Sequence, residues 1–172
     1  LTPTRQFASC TVVDCGDSLD SINSANNAIV KYISQRAGIG INGGAIRSLG
    51  SEVRGGEVVH TGKIPFYKTF MASVKSSSQG GIRGGAATLS FTCWDLEFSD
   101  LVVLKNNKGT DENRVRHLDY SIQLSKLFYE RLLKGGDITL LSPHVYDGKL
   151  YDAFFKDQVE FERLYLIAEA DT

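Results

Sequence analysis

Cysteine is scarce: the 172 residues hold three, at positions 10, 15 and 93. Three thiols do not make a disulfide scaffold, and their spacing matches no metal-ligand pattern, so the usage points to a reducing compartment, the cytoplasm. Cys10 and Cys15 are five residues apart; on one extended strand they face opposite sides and do not bridge each other. The three histidines, His60, His117 and His144, are too far apart to read as a metal site and are given no catalytic part. No run approaches the roughly 18 apolar residues of a membrane helix. The first ten residues, LTPTRQFASC, lack the charged-then-apolar order of a secretory signal. A net charge of −1 excludes a general field for nucleic acid or membrane, and neither is an expected partner. The sequence does not start with methionine, and the expectation is a piece of a longer protein. Internal repeats, low-complexity tracts and an interdomain linker are missing too.

What remains reads as one globular unit with a real core: 42% hydrophobic and 23% charged residues over a domain-sized length. Charge is uneven. From Lys31 to Arg83 there are eight lysines and arginines against Glu52 and Glu57 alone, whereas residues 95–172 are acidic. A basic, glycine-rich segment suits a phosphorylated small molecule; a solvated charged face reads equally well.

Apolar periodicity predicts alternating strands and helices. Strands are expected at Ser9–Val13, Ile39–Ile41, Thr88–Phe91, Tyr120–Leu124 and Asp137–Leu141. A helix capped by Asp17 or Ser18 places Leu19, Ile22, Ile29, Val30 and Ile33 on one stripe and ends near Gly38. Others are expected from Pro65, with Phe66, Phe70 and Val74 at helical spacing, over Trp94–Leu104 with Leu96, Leu101 and Leu104 inward, over Ser125–Lys134, and over much of Asp152–Ala170, whose acidic outer side is solvated. About five strands and five helices in alternation predict a parallel α/β architecture. Two irregular segments, 42–63 and 77–87, interrupt it, and long loops in a compact domain usually carry function. The second contains SSSQGGIRGG. It is no phosphate-binding P-loop: no Lys-Ser/Thr follows its second glycine pair, and it leads from helix into strand, the reverse of that motif's order.

Five strings, in this order and spacing, carry a resemblance: ASCTVVDCGDSLDSI, IVKYISQRAGIGIN, IRSLGSEVRGGEVVHTGKIPFYK, SSQGGIRGGAATL and VLKNNKGTDENRVRHLDYSIQLSKLFYERLLKG. Together they cover essentially the whole chain, and it resembles the large (alpha) subunit of class I ribonucleotide reductase. The resemblance implies a ten-stranded α/β barrel of two half-barrels, of which residues 1–172 form the first as a single partial domain. It also implies reduction of ribonucleotides to deoxyribonucleotides by thiyl-radical chemistry, with a pair of redox cysteines. Cys10 matches the first redox-active cysteine of the pair, Ser9 a substrate contact beside it, and Ala37 and Gly38 a place where backbone approaches substrate. Read alone, without the resemblance, Cys10 is a buried small apolar residue and Gly38 an ordinary helix end.

The same resemblance answers what the glycine-rich loop is for. Ser77–Ala86 matches the segment that relays effector identity to the active site, with Gln79 and Arg83 as reporting, substrate-side residues. Deoxynucleoside triphosphates and ATP are the implied effectors, bound between two copies of the subunit by residues like Asp17, Ser18, Leu19, Arg47 and Arg54. The implied partners are the small (beta) subunit with its diiron or similar metal centre, a second large subunit, the rest of the large subunit as the same or a separate chain, and thioredoxin or glutaredoxin. No cofactor is expected to be bound covalently to this chain.

The family's radical cysteine, in Asn-Leu-Cys-x-Glu, and its second redox cysteine have no match here, and Cys15 and Cys93 read as core residues. The 172 residues alone are therefore expected not to turn over nucleotides. The alternatives are a nucleotide-binding dimerisation module without catalysis and, more distantly, an unrelated α/β enzyme with a phosphorylated substrate.

Overall fold

The computed structural model of the chain describes residues 9–78 and 84–172. β1 (Cys10–Asp14) leads into α1 (Leu19–Ser34), which returns the chain to β2 (Gly38–Asn42). An irregular stretch with a two-residue hairpin, β3 (Glu52–Val53) and β4 (Val58–Val59), precedes α2 (Ile64–Ser76). β5 (Ala87–Thr92), the single turn α3 (Phe98–Leu101) and β6 (Asp119–Gln123) follow, then α4 (Lys126–Lys134), α5 (Lys149–Lys156) and α6 (Gln158–Ala170). The four longer strands form one parallel sheet in the order β1-β2-β5-β6. Parallel neighbours require long crossovers, and α1 and α2 supply two of them.

The sheet has two unlike faces, as the two-residue period of a strand dictates. Ile39, Ile41, Ala87, Leu89 and Phe91 point into a core with Ile22, Ala25, Ile29 and Ile33 of α1 and Tyr67, Phe70 and Val74 of α2. A second core gathers around the lone tryptophan, Trp94, with Tyr151, Phe154, Phe161 and Tyr165. In the strand register, the other face carries Cys10, Val12 and Asp14 of β1, Gly38, Gly40 and Asn42 of β2, Thr88 and Ser90 of β5, and Asp119, Ser121 and Gln123 of β6. Apart from the exposed Val12, its side chains are small or polar.

Four of the five predicted strands are present within a residue or two of their expected bounds. Asp137–Leu141 is not a strand. Only Leu141 bridges, to Asp95, through Leu141 N to Trp94 O at 2.8 Å and Leu96 N to Leu141 O at 2.9 Å. The Thr139 carbonyl is taken by the Tyr165 hydroxyl at 2.7 Å, so side chains replace a ladder partner there. The helix expected over Trp94–Leu104 shrinks to α3. Asp95 Oδ1 accepts the Glu97 amide at 3.0 Å and breaks the turn, leaving Leu96 outward at 47% exposure while Leu101 and Leu104 are buried.

The helix expected over Asp152–Ala170 is two helices. Asp157 is extended (φ −152°, ψ 100°), and its carboxylate accepts the Val159 and Glu160 amides, capping α6. The break folds Phe154 onto Phe161 at 5.1 Å, so α6 packs Phe161, Tyr165 and Ala168 inward rather than serving only as a solvated face. At α1 the cap is Ser18, which accepts from Ser21 N, and Leu19 lies off the buried stripe at 65% exposure.

Candidate functional site

Cys10 opens β1 on the polar face, and its register partner on β2 is Gly38. The thiol is exposed, whereas Cys15 and Cys93 are buried; all three are free. Burial pushes the Cys15 thiol up to about 12, with Asp17 adding to the rise, and raises Cys93 as well. A Cβ on Gly38 would stand 3.3 Å from Cys10 Sγ, so glycine leaves the space beside the thiol free. Gly38 N donates to Ser9 O at 2.8 Å, and Ala37 is buried just before it. The structure thus gathers Ser9, Cys10, Ala37 and Gly38 at one end of the sheet.

The segment expected to act as a relay comes to the same end. Ile39 N donates to Ala86 O at 3.1 Å. Ser78 and Gly85 clasp its base: Ser78 Oγ donates to Val74 O at 2.7 Å and accepts from Gly85 N at 2.8 Å. Gln79 and Arg83, the expected reporting residues, lie outside the described residues.

The expected effector residues lie at the other end, beyond the C-termini of β1 and β2. Asp17 and Arg47 form a two-sided clamp. Asp17 Oδ1 accepts the Arg47 amide at 2.6 Å, and Oδ2 accepts Nε at 2.8 Å and pairs with Nη2 at 2.7 Å. Arg47 Nη1 also donates to Glu52 O at 2.7 Å. A guanidinium has five N–H groups, so two remain for an anion while its plane is already fixed. With Ser18 capping α1, Asp17 is free of that duty and holds Arg47 instead. Leu19 follows the cap, exposed. Arg54 is exposed with φ +53°, in the 3-10 turn between β3 and β4.

Several side chains at these places were given no role at either end of the sheet by the sequence reading. His144, from far along the chain, brings Nδ1 to 3.5 Å from Asp17 Oδ2. Burial lowers His60 below the ordinary imidazole range, in keeping with a neutral Nδ1 that accepts the Gly62 amide at 3.1 Å. Lys63, counted among the basic excess, is fully buried and pairs with Asp95 at 2.9 Å. On the polar face Asn42 is a hub: Nδ2 donates to Asp14 at 2.9 Å, and Oδ1 accepts from Gln123 at 3.3 Å and from the Tyr151 hydroxyl at 3.0 Å. A signal for the hub was present, since GIGIN alternates isoleucine with small or polar residues. The Lys63–Asp95 pair, 32 residues apart, left none. Among the described residues no three His, Cys, Asp or Glu side chains group as metal ligands.

The four-stranded parallel sheet thus carries a thiol at one end of its polar face and a carboxylate–guanidinium clamp beyond the other. The family model for the ribonucleotide reductase barrel domain matches residues 8–172, and the chain belongs to that family. It is 67% identical over 170 residues to ribonucleoside-diphosphate reductase 1 subunit alpha of Salmonella typhimurium and 66% identical to that of Escherichia coli. It is 60% identical to the ribonucleoside-diphosphate reductase subunit alpha of Enterobacteria phage T4. Each match covers 99% of this chain and 22% of the relative, so the chain spans about a fifth of their length. A solved structure, the class Id ribonucleotide reductase alpha subunit of Actinobacillus ureae, shares the fold at a TM-score of 0.62 and 19% identity, over 75% of this chain and 22% of that one.

Proposed function

We propose that the chain is the portion of a class I ribonucleotide reductase alpha subunit that holds the first redox thiol and the effector-specificity site. Reducing a ribonucleotide replaces its 2′-hydroxyl by hydrogen and releases water. Two thiols supply the two electrons and two protons and become a disulfide. Cys10 is one of the two. Cys15 and Cys93 are buried and held neutral, so the second thiol, like the radical cysteine, comes from outside these residues. Ser9 and the backbone at Ala37 and Gly38 receive the substrate. Small side chains there allow the approach a ribose needs.

Arg47 offers its two remaining N–H groups to effector phosphate, with Arg54 beside it. Asp17, which still has an acceptor site on Oδ1, takes the sugar hydroxyl. From Cys10 to Asp14 is four strand steps, about 13 Å, and Ser78, Gly85 and Ala86 lie towards the Cys10 end. In this reading effector bound between two copies biases that loop, Ser77–Ala86. The exposed Leu19 on α1 suits such a contact. Partners in this reading are a second alpha copy, a beta subunit with its metal centre, and thioredoxin or glutaredoxin for re-reduction.

The observation that carries the reading is the exposed Cys10 thiol beside Gly38, in a chain whose other thiols are buried. The test uses the natural polypeptide containing these residues, with a beta subunit, a thiol reductant and nucleoside diphosphates. Cys10→Ser is expected to abolish turnover supported by the reductant and to leave dTTP binding intact. Arg47→Ala is expected to weaken dTTP at least about tenfold. Wild-type turnover by Cys10→Ser would remove the redox assignment, and unchanged dTTP affinity in Arg47→Ala would remove the effector assignment.

A further inference from the structure

Arg47 presents its guanidinium from an irregular loop, and something must hold that loop. The answer lies beneath it. Lys63 and Asp95 are 0% exposed and form an ion pair at 2.9 Å. The Lys63 ammonium also donates to Gly44 O at 3.1 Å and, in a shorter contact, to Ile46 O. It thus has an ion-pair partner and two hydrogen-bond acceptors, both carbonyls of the turn that ends at Arg47. The Ile46 carbonyl and the Arg47 amide belong to one peptide plane, so holding one holds the other. That amide is the group Asp17 accepts at 2.6 Å.

The far side of the loop is tied to the same place. Glu97, two residues beyond Asp95, accepts the Leu49 amide at 3.1 Å and the Lys63 amide at 3.2 Å. Residues 44–49 are thereby pinned at both ends by charged groups from α2's entry and from the turn after β5. A loop rich in glycine has many conformations available, and confining it to one before a ligand arrives lowers the ordering cost of binding. Burying a lysine and two carboxylates is costly and contributes little stability compared with apolar residues of the same volume. Such an arrangement makes physical sense as a device of position.

We infer that Lys63 is a positioning residue for the effector site: its buried ammonium, neutralised by Asp95, fixes the peptide carbonyls of Gly44 and Ile46 and so sets the direction of Arg47. The inference rests on the proposed role of Arg47 in binding effector phosphate. Lys63 does not touch the ligand. Its effect is transmitted through a single peptide plane.

Two variants of the natural polypeptide separate position from stability. Glu169→Gln breaks the pair with Arg131, away from the loop, and leaves Lys63 and Asp95 on their partners. Lys63→Met/Asp95→Leu removes both charges and the grip. Hydrogen exchange at the Arg47 amide and dTTP affinity are measured on both, with unfolding by urea as the stability control. The double variant is expected to exchange at Arg47 at least about tenfold faster and to bind dTTP roughly tenfold to hundredfold more weakly. Glu169→Gln is expected to stay within about twofold of wild type in both, even though it is the less stable protein. Exchange and affinity that follow stability across the two variants, or an unchanged double variant, would overturn the inference. Should the double variant not fold, Lys63→Gln/Asp95→Asn is read by the same comparison. A wild type that does not bind dTTP would sink the effector reading by itself, and exchange at Arg47 would still decide whether Lys63 sets the loop.

Discussion

At Cys10 and Cys15 the same element type is placed in opposite environments by five residues of chain. Cys10 starts β1 on the polar face and is exposed; Cys15 follows its end, 2% exposed, with its Sγ against Gly16 O. A thiol with a pKa of about 12 holds almost no thiolate near neutral pH, and thiolate is the reactive form. Brief treatment with iodoacetamide at pH 8 is therefore expected to label Cys10 first. Cys15 and Cys93 should label only when urea unfolds the chain. Peptide mapping by mass spectrometry checks the order, and early labelling of Cys15 would contradict the burial. The resemblance already separated the three thiols, because only Cys10 falls at the position matching a redox cysteine, next to Ser9. It did not separate Lys63 from the other basic residues, since nothing local distinguishes a buried ammonium from a solvated one.

Among the elements, the junction of α2 with β5 is the one where local chemistry decides most. α2 ends at Ser76, and Ser78 immediately bonds back to Val74 and across to Gly85. A Cβ on Gly85 would fall 2.8 Å from Val74 O, 2.8 Å from Ile33 Cγ2 and 2.5 Å from Ser78 Oγ. Backbone and a core side chain do not yield cheaply, so Gly85→Ala should destabilise by about 1–3 kcal/mol. Gly84→Ala is the control, with nothing within 4 Å of its Cβ. Urea melts of the two variants test this, and equal midpoints would mean that the clasp is looser than the distances imply. The Gly-Gly pair is conspicuous in the sequence, but which of the two glycines meets a wall depends on α1 and α2 arriving at the same place. The missing fifth strand is a similar case. DITLL has the pattern of a strand, yet Tyr165 of α6 takes its Thr139 carbonyl.

At the scale of the whole molecule, one network braces the outer edge of the second core. Arg131 of α4 grips Glu169 of α6 in a bidentate pair at 2.7 and 2.5 Å; Thr139 donates to Glu169 at 2.6 Å, and the Arg131 guanidinium lies 5.4 Å from the Tyr165 ring centroid. Hydrogen bonding by Arg131 holds the Glu169 carboxyl down to about 2, from 4.5. A depressed carboxyl stabilises the fold above its unfolded pKa, and that contribution is lost as pH falls towards the folded value. Glu169→Gln should thus cost about 1–2 kcal/mol near neutral pH. Its deficit relative to wild type should shrink between pH 4.5 and about 2. Urea unfolding across that range is the measurement, and a deficit independent of pH would assign the loss to packing instead.

The sequence by itself determined the family, the four parallel strands, the crossover helices and the candidate residues at both ends of the sheet, because each of these is written in local periodicity or in short ordered strings. Tertiary structure alone decided which residues meet. Ser18 rather than Asp17 caps α1, which frees Asp17 for an arginine thirty residues away. The polar face was assembled when β5 and β6 aligned Ser90 and Ser121 alongside Asn42. Lys63 became a positioning group only when Asp95 was carried under the Arg47 loop. Contacts between residues distant in sequence depend on how the helices return the chain to the sheet, and no local pattern encodes that return.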